Sequence, residues 1–181
     1  MVFAHDTEVA LAAAAALVNT DDPTDGEALP DVAALDEFIR AYGWTGRWDR
    51  TDDELQAVRR LRPRLRRLWQ VGEDEAVEIV NGLLREFHAL PQLARHGEWP
   101  YHLHATPPDA PLHARMAVEA AMAFVDVVRG GELARLRICE YPTCANVVVD
   151  LSKNRSKRFC DAGCGNRAAV NAYRARKAAR R

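Results

Sequence analysis

Every cysteine of the chain lies between positions 139 and 164, spaced C-x4-C-x15-C-x3-C as Cys139, Cys144, Cys160 and Cys164. Two close pairs separated by a stretch long enough for a β-hairpin are what a tetrahedral thiolate site requires, because each pair clips a turn around the metal. Zinc (Zn2+) suits four sulfurs, has no redox chemistry of its own, and supplies folding energy to a module too small to bury a core. No histidine follows His113, so the site is all-cysteine or nothing. Two other readings stay open: four buried thiols without a metal, and a redox switch in which the metal leaves and disulfides form.

The same region is the basic part of the chain. Residues 1–128 hold 12 basic and 22 acidic side chains, whereas residues 129–181 hold 13 and 4. An acidic body therefore carries a basic tail. Hydrophobic residues make up 48% and charged residues 28% of 181, which fits a globular chain with a real core, as one domain or one larger domain with a small appendage. The apolar run "VALAAAAALVN" (residues 9–19) is too short to span a bilayer and lacks the basic flank of a signal peptide. A cytoplasmic protein without membrane association is expected, in a compartment where clustered thiols stay reduced.

The first 131 residues read as helical. Alanine-rich Glu8 to Asn19 comes first, and "TDDPTDGEALP" breaks it. Asp31 is placed to cap a helix carrying Val32, Leu35, Phe38 and Ile39, which Gly43 stops. Thr51 begins a third helix, with Asp52, Asp53 and Glu54 in its first turn and Leu55, Val58, Leu61, Leu65, Leu68 and Trp69 on its stripe, and Pro63 is expected to kink or split it. Glu73 to Ala89 forms a fourth, with Val77, Val80, Leu83, Leu84 and Phe87 on one side, and Pro111 to Val128 a fifth. The one convincing strand of this half lies in "WPYHLHATPPDAP", and "RGGE" marks a turn.

In residues 132–181, "ANVVVD", "LSKN" and "RSKRF" read as strand, turn and strand, and "CGNRAAVNAYRARKAARR" reads as a helix starting near the fourth cysteine. The fold class is therefore mainly α: a helical domain over 1–131 and a small treble-clef-like four-cysteine finger over 132–181. On the last helix Arg167, Asn171 and Arg174 share one face, while Ala169, Val170 and Tyr173 share another, expected to seat the helix on the hairpin. With no linker between the two parts, the finger is expected to dock closely on the helical body.

Cys164, Gly165, Asn166 and Arg167 spell CGNR, and the run from Asp150 to Cys160 reads D-x-S-x-N-x-S-x-R-x-C. With Cys139, Cys144 and the "LVNT" of Leu17 to Thr20, the chain resembles the CGNR zinc finger proteins with an N-terminal ABATE domain over nearly its whole length. Phe159 stands where the family more often has Trp, one aromatic for another. The family is grouped with bacterial transcription regulators, so the resemblance implies DNA binding.

Lys153, Asn154, Arg155, Lys157 and Arg158 cluster between the cysteine pairs, and Arg174, Arg176, Lys177, Arg180 and Arg181 follow on the helix. This density of cations suits phosphate binding. Arg167, Asn171 and Arg174 are the candidates for reading base edges. The competing readings are a basic helix that docks on the acidic body, and Asn166 and Arg167 acting as groups that fix sulfur geometry. A zinc-stabilised protein-interaction module without a nucleic-acid role is the alternative function.

The helical body offers fewer signals. His102 and His104, two apart on a strand, face one side, either as a metal or ligand pair or as a plain pair at a sheet edge beside Trp99 and Tyr101. Trp44, Trp48, Trp69 and Trp99 read as core or lid. Asn19 and Thr20 are placed to cap a helix or line a pocket. A pocket converging on His102, His104 and tryptophans would mark a ligand sensor or an enzyme. No nucleophile with a paired base and no phosphate loop stands out, so catalysis is not expected. A small-molecule ligand in this body and a homodimer remain open.

Overall fold

The computed structural model describes residues 2–23, 26–95 and 101–179. Trp99, Arg180 and Arg181 lie outside the described residues. Helix α1 (His5–Asn19) leads into a two-residue ladder of β1 (Asp21–Asp22) and β2 (Gly26–Glu27). Helices α2 (Val32–Ala41), α3 (Asp52–Arg67) and α4 (Glu73–Glu86) follow, then the antiparallel pair β3 (Gln92–Ala94) and β4 (His102–His104). Helix α5 (Leu112–Arg129) ends at a glycine turn. A single 3-10 turn (Leu133–Arg135) then opens β5 (Leu136–Ile138), which pairs with β6 (Val147–Val149), and α6 (Cys164–Ala178) closes the chain.

Local chemistry explains the helix starts. The Asp31 carboxylate accepts the Ala34 N–H at 2.9 Å, as expected of a cap, and at the expected start of α3 the Thr51 hydroxyl accepts that of Glu54 at 3.2 Å, so both satisfy otherwise orphaned donors. Glu54 reaches further back and accepts the N–H groups of Asp49 and Arg50. Gly43 follows α2 in the left-handed region at φ +66, where glycine is favoured.

Helix α1 packs on α3, α5 and β6. Leu11, Ala14, Leu17 and Val18 are buried, and so are Ala13 and Ala15, which is why its sequence shows alanine rather than an apolar stripe. Small side chains let neighbours approach from several sides. Trp69 packs edge-on against Phe124 at 5.1 Å in the centre of the same core.

The structure departs from several sequence expectations. Pro63 does not split α3: it sits at an exposed position, with buried Leu61 and Leu65 on either side holding the helix across one missing hydrogen bond. Val77 faces solvent, and Ala76, Val80 and Leu83 form the buried side of α4. The partner of β6 is β5, ahead of the first cysteine, and not the "RSKRF" segment, which forms no strand. The Leu136–Val149 pairing lets two core residues meet over the helices, a burial the later basic segment cannot offer.

Strand alternation then divides β6 between two interiors. Val147 and Val149 belong to the helical core together with Leu136, while Val148 packs with Cys139, Cys160 and Cys164. The finger therefore docks closely on the body, as expected. Three side chains of the body fasten it. Asn19 binds the Val147 backbone, the Trp69 indole N–H donates to the Val148 carbonyl at 3.0 Å, and Arg66 donates to the Ala145 carbonyl at 2.8 Å.

Candidate metal centre and nucleic-acid interface

The first cysteine pair sits on a knuckle after β5, where Cys139 N–H donates to the Asn146 carbonyl and Cys144 N–H to that of Tyr141. Cys160 ends the basic segment, and Cys164 opens α6 after Gly163, whose φ of +78 permits the tight entry. The four sulfurs all lie within 4.8 Å of one another. Cys144 Sγ is 3.7 Å from Cys160 Sγ, which is 3.5 Å from Cys164 Sγ. Metal–sulfur bonds of about 2.3 Å in a tetrahedron separate sulfurs by about 3.8 Å, so the donor set fits a metal ion.

The electrostatics agree. Burial alone would push the Cys160 thiol up, but the Ala162 N–H, the Asn146 amide and the neighbouring Cys164 and Cys144 outweigh it and hold it down. Burial pushes up Cys144 and Cys164, the latter despite Arg167. The donors around Cys160 favour its thiolate, and Cys144 and Cys164 need a cation to ionise beside it.

Arg167 is part of this centre. Its guanidinium donates to Cys164 Sγ at 3.0 Å and to the Ala162 carbonyl, and lies 5.1 Å from the ring centroid of Tyr141. Asn171 Nδ2 donates to the Tyr141 hydroxyl at 3.3 Å. Two members of the expected base-reading face thus close over the first knuckle. Tyr141, unmarked in the sequence reading, is the platform between them. Asn166 is exposed.

The D-x-S-x-N-x-S run is a loop scaffold rather than a hairpin turn. Asp150 is fully buried, and its carboxylate accepts the Ser152 N–H and hydroxyl and the Lys157 N–H. Ser152 Oγ accepts the Ser156 N–H at 2.9 Å. Buried Arg135 ties the loop back, donating to the Asp150 and Ser152 carbonyls while paired with Glu132. Burial alone would raise the Asp150 carboxyl, but these donors hold it below the usual range.

The loop displays Lys153 and Asn154 to solvent. Arg155 pairs with Glu132, Lys157 with Asp161 and Arg158 with Glu140. Every residue from Asn171 to Ala179 is exposed, and Arg174, Arg176 and Lys177 have no ion-pair partner among the described residues. The basic helix therefore does not lie against the acidic body. Its apolar face is not seated on a hairpin either: Val170 is 47% and Tyr173 60% exposed, because α6 packs near its start, with Gly165 against Phe159, and the contact further along is made by Asn171 on its other face.

In the helical body, a cavity of about 290 Å³ is lined by Trp44, His102, His104 and Glu119 among others. The two imidazoles meet with Nε2 atoms 2.9 Å apart, so the pair does share one side of β4. Trp69 is core, as expected. A second cavity, of about 560 Å³, lies between α1 and the finger, touching Asn19, Val148 and Cys160; Tyr42 lines both cavities.

The ABATE family model, described as "Putative stress-induced transcription regulator", matches residues 11–131, and the CGNR zinc finger model matches residues 135–177. The chain belongs to the ABATE family. Its finger is a CGNR zinc finger, and the four-cysteine cluster makes this ABATE chain a metal-binding protein. No curated protein matches the chain. No helix among the described residues is long and apolar enough to cross a membrane.

Proposed function

We propose that this ABATE chain is a cytoplasmic, DNA-binding transcription regulator whose finger is closed by zinc on Cys139, Cys144, Cys160 and Cys164. Zinc suits an all-thiolate tetrahedron that has no open position for substrate. The observation that carries the DNA reading is the exposed end of α6, where Arg174, Arg176 and Lys177 stand clear of any acid among the described residues. Lys153 and Asn154 add to this surface from the loop, and Arg155, Lys157 and Arg158 would exchange their weak surface ion pairs for phosphates. Arg167 and Asn171 are engaged at Tyr141, which leaves Arg174 as the stronger base-reading candidate of the three. The helical body senses a ligand or mediates assembly, and no catalytic role is assigned to it.

The test is binding of zinc-loaded protein to mixed-sequence duplex DNA by fluorescence anisotropy across about 50 to 200 mM salt. Affinity that falls steeply with salt is expected. Absence of binding at low salt would sink the reading.

A second reading draws on Val170 and Tyr173. An exposed apolar pair on a helix suits protein contact, either with a second copy of the chain or in an interaction module without nucleic acid. Sedimentation of the wild type against Tyr173→Glu distinguishes it: a dimer lost in the variant would favour that role for α6.

A further inference from the structure

The cavity of the helical body carries more chemistry than its size suggests. It is enclosed by α1, the segment after α2, β4 and α5, and its walls are largely apolar, including Ala10, Ala13, Met122 and Leu103. Three carboxyl groups, Asp6, Glu119 and Asp126, reach it, together with His102 and His104, while no lysine or arginine among the described residues lines it.

Two of the carboxylates already serve the fold. Asp6 accepts the N–H groups of Thr7 and, at 3.4 Å, Leu103; Asp126 accepts the Thr7 hydroxyl at 2.6 Å. Glu119 has no hydrogen-bond donor among the described residues. The nearest buried guanidinium, Arg115, is committed to the carbonyls of Ala110, Thr45 and Arg47. Burial pushes the Glu119 carboxyl up to about 7, against the weaker pull of Arg115, as befits a carboxyl in apolar surroundings whose cationic neighbour is bonded elsewhere.

We propose that this cavity binds a small organic cation, an amine or quaternary ammonium with an apolar body, whose charged end pairs with Glu119. The inference rests on the reading of the helical body as a sensor and gives that sensor its ligand class. A cation supplies the charge and, as an amine, the donor that Glu119 lacks. Tyr42 and Trp44 line the same cavity, and aromatic rings attract organic cations. The aliphatic walls take the apolar body, and three carboxyls disfavour an anion of the same shape.

The experiment uses the full zinc-loaded chain and a matched panel: aryl-alkyl and branched alkyl amines, their trimethylammonium derivatives, and the alcohols and carboxylates on the same skeletons. Calorimetric titration up to about 1 mM ligand is expected to show binding by amines or ammonium ions and none by the carboxylates. Glu119→Gln, which keeps shape and removes charge, should weaken the best cation about ten-fold or more. Binding of alcohols or acids as tight as that of cations would overturn the proposal. So would no binding by any cation, or unchanged affinity in a folded Glu119→Gln protein. Anisotropy with DNA, run without ligand, reports the regulator reading separately, so either idea can fail alone.

Discussion

The side-chain amide of Asn19 makes two hydrogen bonds to the backbone of one residue, Val147, donating to its carbonyl at 2.9 Å and accepting its N–H at 2.8 Å. One side chain at the end of α1 thus satisfies both polar groups of a buried strand residue in the finger. Asn19→Ala strands both, and a loss of about 1 to 3 kcal/mol is expected, read as a lower urea midpoint with zinc present. An unchanged midpoint would mean the clasp contributes nothing to stability.

Removing the metal should loosen more than the cysteine knuckles. Chelation is expected to release Val148 from the sulfur cluster, and with it the carbonyl that accepts the Trp69 indole N–H. Tryptophan fluorescence should therefore shift on chelation and recover on adding zinc. Cobalt(II) in place of zinc should give a tetrahedral thiolate spectrum, weakened in Cys164→Ser. A Cys164→Ser protein with full metal stoichiometry and an unaltered spectrum would exclude Cys164 as a ligand.

The two arginines of the α6 face are expected to behave differently. Arg167→Ala removes a donor to Cys164 Sγ and the stack on Tyr141, so metal affinity should fall about 10-fold or more. Arg174→Ala should leave metal affinity unchanged and lower DNA affinity, with a shallower salt dependence. Equal effects of both on metal competition would remove the distinction.

Glu119 gives a pH dependence with a definite sign. Its folded pKa is raised to about 7 from an ordinary 4.5, so the folded state holds a proton that the unfolded chain releases. This group's contribution to stability is full below the ordinary value and declines as pH rises toward 7. Glu119→Gln should therefore melt progressively higher than wild type across that window, and the gap should level off above it. A gap independent of pH would show that the carboxyl is not held protonated.

The cysteine cluster was legible because ligand spacing is a local property, and the helix starts at Asp31 and Thr51 because the signals for them lie within a few residues. The partner of β6 was hidden for the opposite reason. "LRI" is too short to show alternation, and its pairing is rewarded only by the distant core that Leu136 and Val149 enter. The face of α6 bearing Val170 and Tyr173 was correctly grouped by periodicity, but periodicity says nothing about whether a partner exists. Likewise the serines after Asp150 showed as a pattern, while their purpose, a buried carboxylate organising a loop, appears only in three dimensions. The histidine pair was visible at its i, i+2 spacing; Glu119, one helix residue among several acids, carried no signal until its cavity surrounded it.

Because β6 turns alternate residues into different interiors, the finger is not a bead on a string. Val147 and Val149 act as two pegs in the helical body, and withdrawing them would empty part of that core. The strand that anchors the sulfur cluster is thereby pinned to α1 as well, through Val147, Val148 and Asn19. Tyr42, forming a wall of both the cavity of the helical body and the crevice under the finger, is a partition that the two compartments share.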